Sequence, residues 1–222
     1  MFTKSKFILL VLTFVGAGSV LAAPNGWRKD VDESAMSLRT ANYAASLKVI
    51  DRVIAGMVEQ LGAGDAEKEI LATALTHKAV AKAGLGNIDE ALWYWYLTQE
   101  ISPAAAKSDL STFGAPGEFL KQHPFTSTPA LPDDATPPHV VKEVAPRFPA
   151  GASRFGIAGD LVVQVVVDGN GQPTLPHIVH PLPAPTLSFV ALEALRHWRF
   201  QPAVRNGESV PAVFNLTVHY KL

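Results

Sequence analysis

Cysteine is absent from all 222 residues, which excludes disulfides, thiolate zinc sites and cysteine nucleophiles together. No dense Lys/Arg run occurs either, so the chain carries no footprint for nucleic acid. G-x-S-x-G, H-E-x-x-H and phosphate-cradling glycine loops are all missing, and an enzyme built on those motifs is excluded with them. Gly169 and Gly171 lie in a hairpin turn rather than before a helix, so they make no nucleotide fingerprint. Long apolar runs are scarce as well. The longest, Phe7 to Val15, is shorter than the ~20 residues that a membrane-spanning helix needs.

That run belongs to a segment to be set apart from the fold. Lys4 and Lys6 make a basic start, the apolar run follows, and Val20-Leu21-Ala22 and Leu21-Ala22-Ala23 both suit signal peptidase. Residues 1–23 are therefore expected to be a signal peptide, cut after Ala22 or Ala23, and the rest to be periplasmic. An uncleaved segment would instead anchor the chain in the inner membrane. A cysteine-free chain loses nothing in an oxidising compartment.

Charge is shared unevenly. Residues 24–136 hold 10 basic and 15 acidic side chains, whereas 137–222 hold 7 and 5 together with five of the seven histidines. This asymmetry predicts two modules. The first, 24–109, is rich in Ala, Leu, Lys and Glu, with no proline from Asp30 until Pro103, and reads as helices. Ala72 to Ala105 matches tetratricopeptide spacing in part, with Leu75, Gly86, Ala91, Trp95 and Pro103 in place and Lys82 where the pattern has tyrosine. Asn42 to Leu47 resembles the second helix of an earlier, degenerate repeat. A small bundle of about four helices is expected, because fewer than about three repeats rarely stack into a solenoid. Trp93, Tyr94, Trp95 and Tyr96 are consecutive and cannot all face one core. One or two of them should be exposed or cover a neighbour.

Residues 110–137 read as a linker. Prolines at 116, 124, 129, 132 and 137 argue against regular structure there. From 138 to 222 the pattern changes. Leu161, Val163, Val165 and Val167 alternate with polar or outward positions, predicting a strand. Asp168-Gly169-Asn170-Gly171 predicts a tight turn, since Gly and Asn tolerate positive φ. A second strand to about His180 is interrupted by Pro173 and Pro176. A helix follows, with Thr186 as its expected cap and Leu187, Val190, Ala191, Ala194, Leu195 and Trp198 on one face. Pro202 ends that run, so Trp198, Phe200 and Pro202 form a structural anchor where helix meets sheet. A last strand alternates Phe214, Leu216, Val218 and Tyr220 with Asn215, Thr217, His219 and Lys221. The fold class is α+β: an all-α module, then a small antiparallel sheet packed by one helix in the order β-β-α-β.

The motifs of this second module occur in a known order. Pro146-Arg147-Phe148-Pro149, Gly156-Ile157-Ala158-Gly159, Asp168-Gly169-Asn170-Gly171, Ala191 to Leu195, Trp198 to Ala203 and Asn206-Gly207 resemble the C-terminal domain of the TonB family. The resemblance covers about 85 residues, 138–222. It implies binding rather than catalysis: an extended segment of an outer-membrane TonB-dependent receptor would add as a strand beside the last strand. Unpaired backbone groups on an exposed edge supply affinity for such an addition. Carried over to this chain, the partner-binding residues would be Val213, Asn215, Thr217, His219 and Lys221 on that strand, with Pro146, Phe148 and Pro149 in the loop before the first strand. Ala145 stands where the family's prototype has glutamine. The prototype's N-terminal anchor carries a histidine and meets the ExbB–ExbD proton-driven motor, but residues 1–23 hold no histidine. Contact with that motor is therefore expected only if the N-terminus is uncleaved. A second reading is a periplasmic adaptor whose helical module binds an envelope partner, without direct coupling to the proton gradient. An open edge would also let two copies pair as a homodimer.

Neither a cofactor nor a metal is expected. His177 and His180, the nearest to a ligand pair, stand three apart on a strand and face opposite sides of the sheet. Glu193, Arg196 and Arg199 read as a solvated helix face.

Overall fold

The computed structural model describes residues 9–11, 24–61, 65–125, 131, 133–147, 149, 152 and 158–220. Four helices form the first layer: α1 (Pro24–Arg39), α2 (Tyr43–Gln60), α3 (Asp65–Gly84) and α4 (Ile88–Ile101). Each packs on the next in sequence, as short connections between antiparallel helices dictate. Trp27, Val31, Ser34 and Leu38 recur at helical spacing and are all buried, which makes them the inner face of α1.

The two helix pairs turn in the same way. Asn42 N–H bonds to the Ser37 carbonyl and Asn87 N–H to the Lys82 carbonyl, while Ala41 and Gly86 take positive φ. This 6→1 bond is the Schellman close of a helix. The equivalent turns are 45 residues apart, so the helix-turn-helix unit recurs here at a longer step than the 34 of the tetratricopeptide pattern. Pro103 follows the end of α4 at Ser102, as its spacing predicts.

The expected linker holds more structure than its prolines suggest. A helix, α5 (Ala115–Lys121), lies within it and packs against α3. Pro116 falls in the first turn, where the missing N–H costs nothing. Leu110, Phe113 and Leu120 join the core. Burial of apolar side chains between the prolines decides the matter, and the prolines serve as helix punctuation.

The second layer is a sheet of β1 (Leu9–Val11), β3 (Gly159–Val167), β4 (Pro173–His180) and β8 (Ala212–Tyr220) in the order β1-β8-β3-β4. β3 and β8 run antiparallel in unbroken register from Gly159↔Tyr220 to Val167↔Ala212. Leu161, Val163, Val165 and Val167 are fully buried and Phe214, Leu216, Val218 and Tyr220 nearly so, so both alternations face inward as read. Two short pairs complete the module: β2 (His139–Lys142) with β5 (Arg199–Gln201), and β6 (Ala203–Arg205) with β7 (Glu208–Val210) about the Asn206-Gly207 turn. Helix α6 (Pro185–Arg196) starts on Pro185 with Ala184 at its cap position. Thr186 is thus not the cap; it lies inside the first turn, fully buried. The prolyl ring already supplies the helical φ.

Trp198 and Phe200 anchor the junction. Trp198 is 1% exposed, its Nε1–H donates to the Val144 carbonyl at 2.8 Å, and its ring leads through Phe200 to Phe214. Phe200 N–H in turn bonds to the Gly171 carbonyl. A Cβ on Gly171 would stand 1.9 Å from the Phe200 carbonyl oxygen, and its φ is +76°, so the turn glycine is fixed by both space and backbone. Tyr220 at the far end of β8 donates to the Leu187 carbonyl at 3.1 Å. Pro202 is half-buried and follows β5 directly.

Candidate functional site

A three-stranded antiparallel core β8-β3-β4 has two edges, and the chain treats them differently. The β4 edge faces α4. Glu100, near the end of α4, accepts the Ile178 N–H at 2.9 Å and lies 2.8 Å from His177 Nδ1. Ile178 is paired with Val163 on the other side, so the helix carboxylate takes the place that a fifth strand's carbonyl would occupy. Phe125 meets Tyr96 edge-on and lies tilted against His177, covering the same margin. Glu100→Ala is expected to leave the Ile178 N–H without its acceptor and cost about 1–3 kcal/mol, read as a lower denaturant midpoint with faster amide exchange at Ile178.

The β8 edge is the other margin. Over Thr217–His219 it takes the chain's own Leu9–Val11 in parallel register, Leu9↔Thr217 to Val11↔His219. Among the described residues no strand pairs with it from Ala212 to Leu216. The expectation of a wholly open edge is corrected to this extent. An unpaired row of backbone groups is satisfied by whichever extended segment reaches it, and here a β-prone apolar stretch of the same chain does.

The side chains read as partner-binding lie on the sheet's outer face. Val213, Asn215 and His219 are half-buried and Thr217 is 8% exposed. Asn215 Oδ1 accepts from Gln164 Nε2 at 2.8 Å, and His219 Nδ1 meets Asp160. Both are directly opposed pairs across β3 and β8, so these groups pin register and leave the edge to the backbone. Lys221 lies outside the described residues. Of the loop before β3, Pro146 and Pro149 are buried and Phe148 lies outside the described residues. Arg147 is the exposed member, and it is paired with Glu59 of α2.

Sequence reasoning missed the seam between the two modules. α4 packs along β4, and α6 touches α2 and α3. Arg196 Nη1 donates to Glu90 at 2.7 Å and Nη2 to Glu193 at 2.8 Å, while Tyr94 Oη donates to Glu193 at 3.1 Å. Lys82 also pairs with Glu90. Glu193 and Arg196 are therefore part of an internal clasp rather than a solvated face. Burial pushes the Glu90 carboxyl up, but Lys82 and Arg196 outweigh it and hold it below the usual range. Burial, then Glu193, keeps the Tyr94 hydroxyl protonated well above its ordinary range. The clasp also resolves the aromatic run. Trp93, Tyr94 and Trp95 are all at most 3% exposed because α4 is covered on opposite sides, by α3 and by the second module. Trp95 Nε1–H donates to the His123 carbonyl.

A signal for the seam was present. Among the described residues, Glu59–Arg147 and Glu90–Arg196 cross the seam as ion pairs and Glu100 meets His177, and each time the acid comes from the helical module and the basic residue from the sheet module. The charge asymmetry between the halves is in part the complementarity of one interface. Among the described residues no group of three or more His, Asp or Glu could hold a metal ion, and no helix is long and apolar enough to cross a membrane.

Residues 144–222 match the family model for the Gram-negative bacterial TonB protein C-terminal. Protein TonB of Vibrio cholerae serotype O1 is 30% identical over 98 residues, 44% of this chain and 39% of that protein. Protein TonB of Yersinia enterocolitica is 27% identical over 110 residues, 50% and 43% of the two chains. The chain thus spans about two fifths of the length of these relatives. Among solved structures, the solution NMR structure of the Pseudomonas aeruginosa TonB CTD aligns at 20% identity with a TM-score of 0.34, covering 44% of this chain and 96% of that one.

Proposed function

With a TonB C-terminal domain at residues 144–222 as premise, we propose that this is a TonB-like protein of the periplasm that takes an extended segment of an outer-membrane receptor as an added strand on β8, in transport across the envelope. The observation that carries the reading is the inequality of the two edges. Glu100 and Phe125 close β4, whereas β8 accepts a short extended segment even from its own chain. Strand addition gives affinity through the backbone, so it asks little of the incoming sequence. In this reading, cleavage after Ala22 or Ala23 removes Leu9–Val11 and frees the edge beside Thr217–His219.

The helical module, two helix hairpins of tetratricopeptide-like design, sets the orientation of the binding edge through the seam. Direct coupling to the ExbB–ExbD motor is not required by this reading; it belongs to an uncleaved, membrane-anchored form.

The test is a photo-cross-linker at Val213 or Asn215 in cells. The expected product joins this chain to the N-terminal plug segment of a TonB-dependent receptor, and it is lost when a proline is placed at Leu216. If instead cross-links form only from the helical module to another envelope protein, strand addition is wrong and an adaptor role stands in its place.

A further inference from the structure

A cavity of about 280 Å³ lies within the helical module, between α1, α3 and the short 3₁₀ turns Ala105–Lys107 and Ser111–Phe113 that follow α4. His77 is the buried ionisable residue on its wall. Asp32 and Arg39 line it from α1, and Ala35, Leu110 and Phe113 supply its apolar part. None of its residues belongs to the sheet module, so it is separate from strand addition at β8.

The imidazole of His77 is 5% exposed. Its Nδ1 lies 3.1 Å from Ser34 Oγ, which lies 2.9 Å from Ser46 Oγ. Two hydroxyls and one ring nitrogen share out their protons here. With Nδ1 as donor, Ser34 would donate to Ser46 and the Ser46 proton would be left without an acceptor. In the opposite sense Ser46 donates to Ser34 and Ser34 to Nδ1, and every proton is used. The ring proton then sits on Nε2. Nε2 has no partner among the described residues, and it is not one of the side-chain atoms sealed from solvent. The open space that His77 lines is this cavity, so a free N–H is presented to it. Burial, then the Arg39 charge, holds the pKa at about 4, and the imidazole is a neutral donor at pH 7.

Charge defines the occupant. Arg39 and Asp32 stand seven residues apart on α1, about two turns along one face, and neither is engaged in an ion pair among the described residues. Arg39 is close enough to His77 for its charge to act on the ring, so these two donors make one end of the site. Asp32 makes the other. Asp109 also lines the cavity, with its Oδ1 held by the Ser111 N–H. One base and two acids beside a neutral His77 leave no surplus positive charge, which disfavours a bare anion. A ligand that carries both signs meets both ends. The volume falls just below the ~300–1,000 Å³ of drug-sized pockets, so that ligand is small.

We propose that this cavity binds a small zwitterionic α-amino acid with an apolar side chain. The carboxylate takes the Arg39 guanidinium and the His77 Nε2–H, the ammonium takes Asp32, and the side chain lies against Ala35, Leu110 and Phe113. The helical module then has a ligand of its own, besides its part in orienting the sheet.

The probe is L-valine, titrated into the full-length chain carrying ¹⁵N-labelled histidine. His77→Gln identifies one set of ring signals among the seven histidines. The expected result is a saturable shift of His77 Nε2, with the other six rings still. Arg39→Gln and Asp32→Asn should each weaken binding about tenfold, the effect of one charge-assisted hydrogen bond. Both side chains are exposed, so thermal stability should not change. Should His77→Gln unfold, calorimetric affinities of the parent chain and the two α1 variants decide the matter. No saturable binding, or undiminished affinity in either α1 variant, overturns the proposal. Equal binding of N-acetyl-valine overturns the ammonium site at Asp32, and equal binding of valinamide overturns the carboxylate site at Arg39 and His77.

Discussion

Trp198→Ala is expected to lower the stability of the protein by about 3–5 kcal/mol, the range for truncating a large buried aromatic. Two losses combine. The indole is 1% exposed and sits in a ring series with Phe200 and Phe214, so its removal leaves a void that the β-sheet cannot close. Its Nε1–H bond to Val144 ties the segment before β3 to the helix–strand junction, and that tie goes too. Phe200 is bonded to the Gly171 turn, so the disturbance reaches the β3–β4 connection and then the register of β8. Denaturant unfolding measures the stability change, and the receptor cross-link at Val213 should vanish with it. An alanine variant that unfolds at the parental midpoint and still cross-links would remove Trp198 from the role of anchor.

Acid should unfold the helical layer through His77. Its imidazole is 5% exposed, lies 3.1 Å from Ser34 Oγ and meets Phe113 edge-on. Burial, then the nearby Arg39 charge, lowers its pKa from 6.5 to about 4. The folded protein thus refuses a proton that the unfolded chain accepts. Stability from this source is complete above pH 6.5 and is lost as pH falls through 6.5 towards about 4. At about 1.4 kcal/mol per pK unit, the loss reaches roughly 3 kcal/mol. Denaturant midpoints at intervals across that range, compared between the parent chain and His77→Gln, isolate the effect. The glutamine variant should show the shallower slope; parallel slopes would mean that His77 is protonated without penalty. Ser34 also meets Ser46 at 2.9 Å, so this small polar cluster joins α1, α2 and α3.

Periodicity accounts for what could be read in advance. The period-two pattern of Leu161 to Val167 and of Phe214 to Tyr220 dictates which face is buried, because adjacent side chains of a strand point oppositely. Asn206-Gly207 and Asp168 to Gly171 dictate turns, because positive φ is confined to few residues. The helix stops at Gly86 and Pro103 follow from the same local sterics. Reading Thr186 as a cap failed for a local reason too: Pro185 one residue earlier was already a better start.

Reading Pro116 as a breaker and Glu193 and Arg196 as solvated failed for a shared, non-local reason, and the same reason left open which of Trp93 to Tyr96 would cover a neighbour. Each depends on what lies opposite in space, and a one-dimensional pattern carries the faces of elements but not their partners. The same limit governs the site. By itself the sequence determined the change from helical to alternating pattern, the last strand with its buried face and the helix–strand junction at Trp198, since all of these are set by side-chain period and backbone sterics within one segment. Only the tertiary structure decided that the helical module closes the β4 edge through Glu100, that Leu9–Val11 pairs with the β8 edge, and that Arg196 and Glu193 are clasped to α4 rather than solvated. Those features arise where residues about 80 to 210 positions apart are brought within hydrogen-bonding distance by the burial of one continuous core.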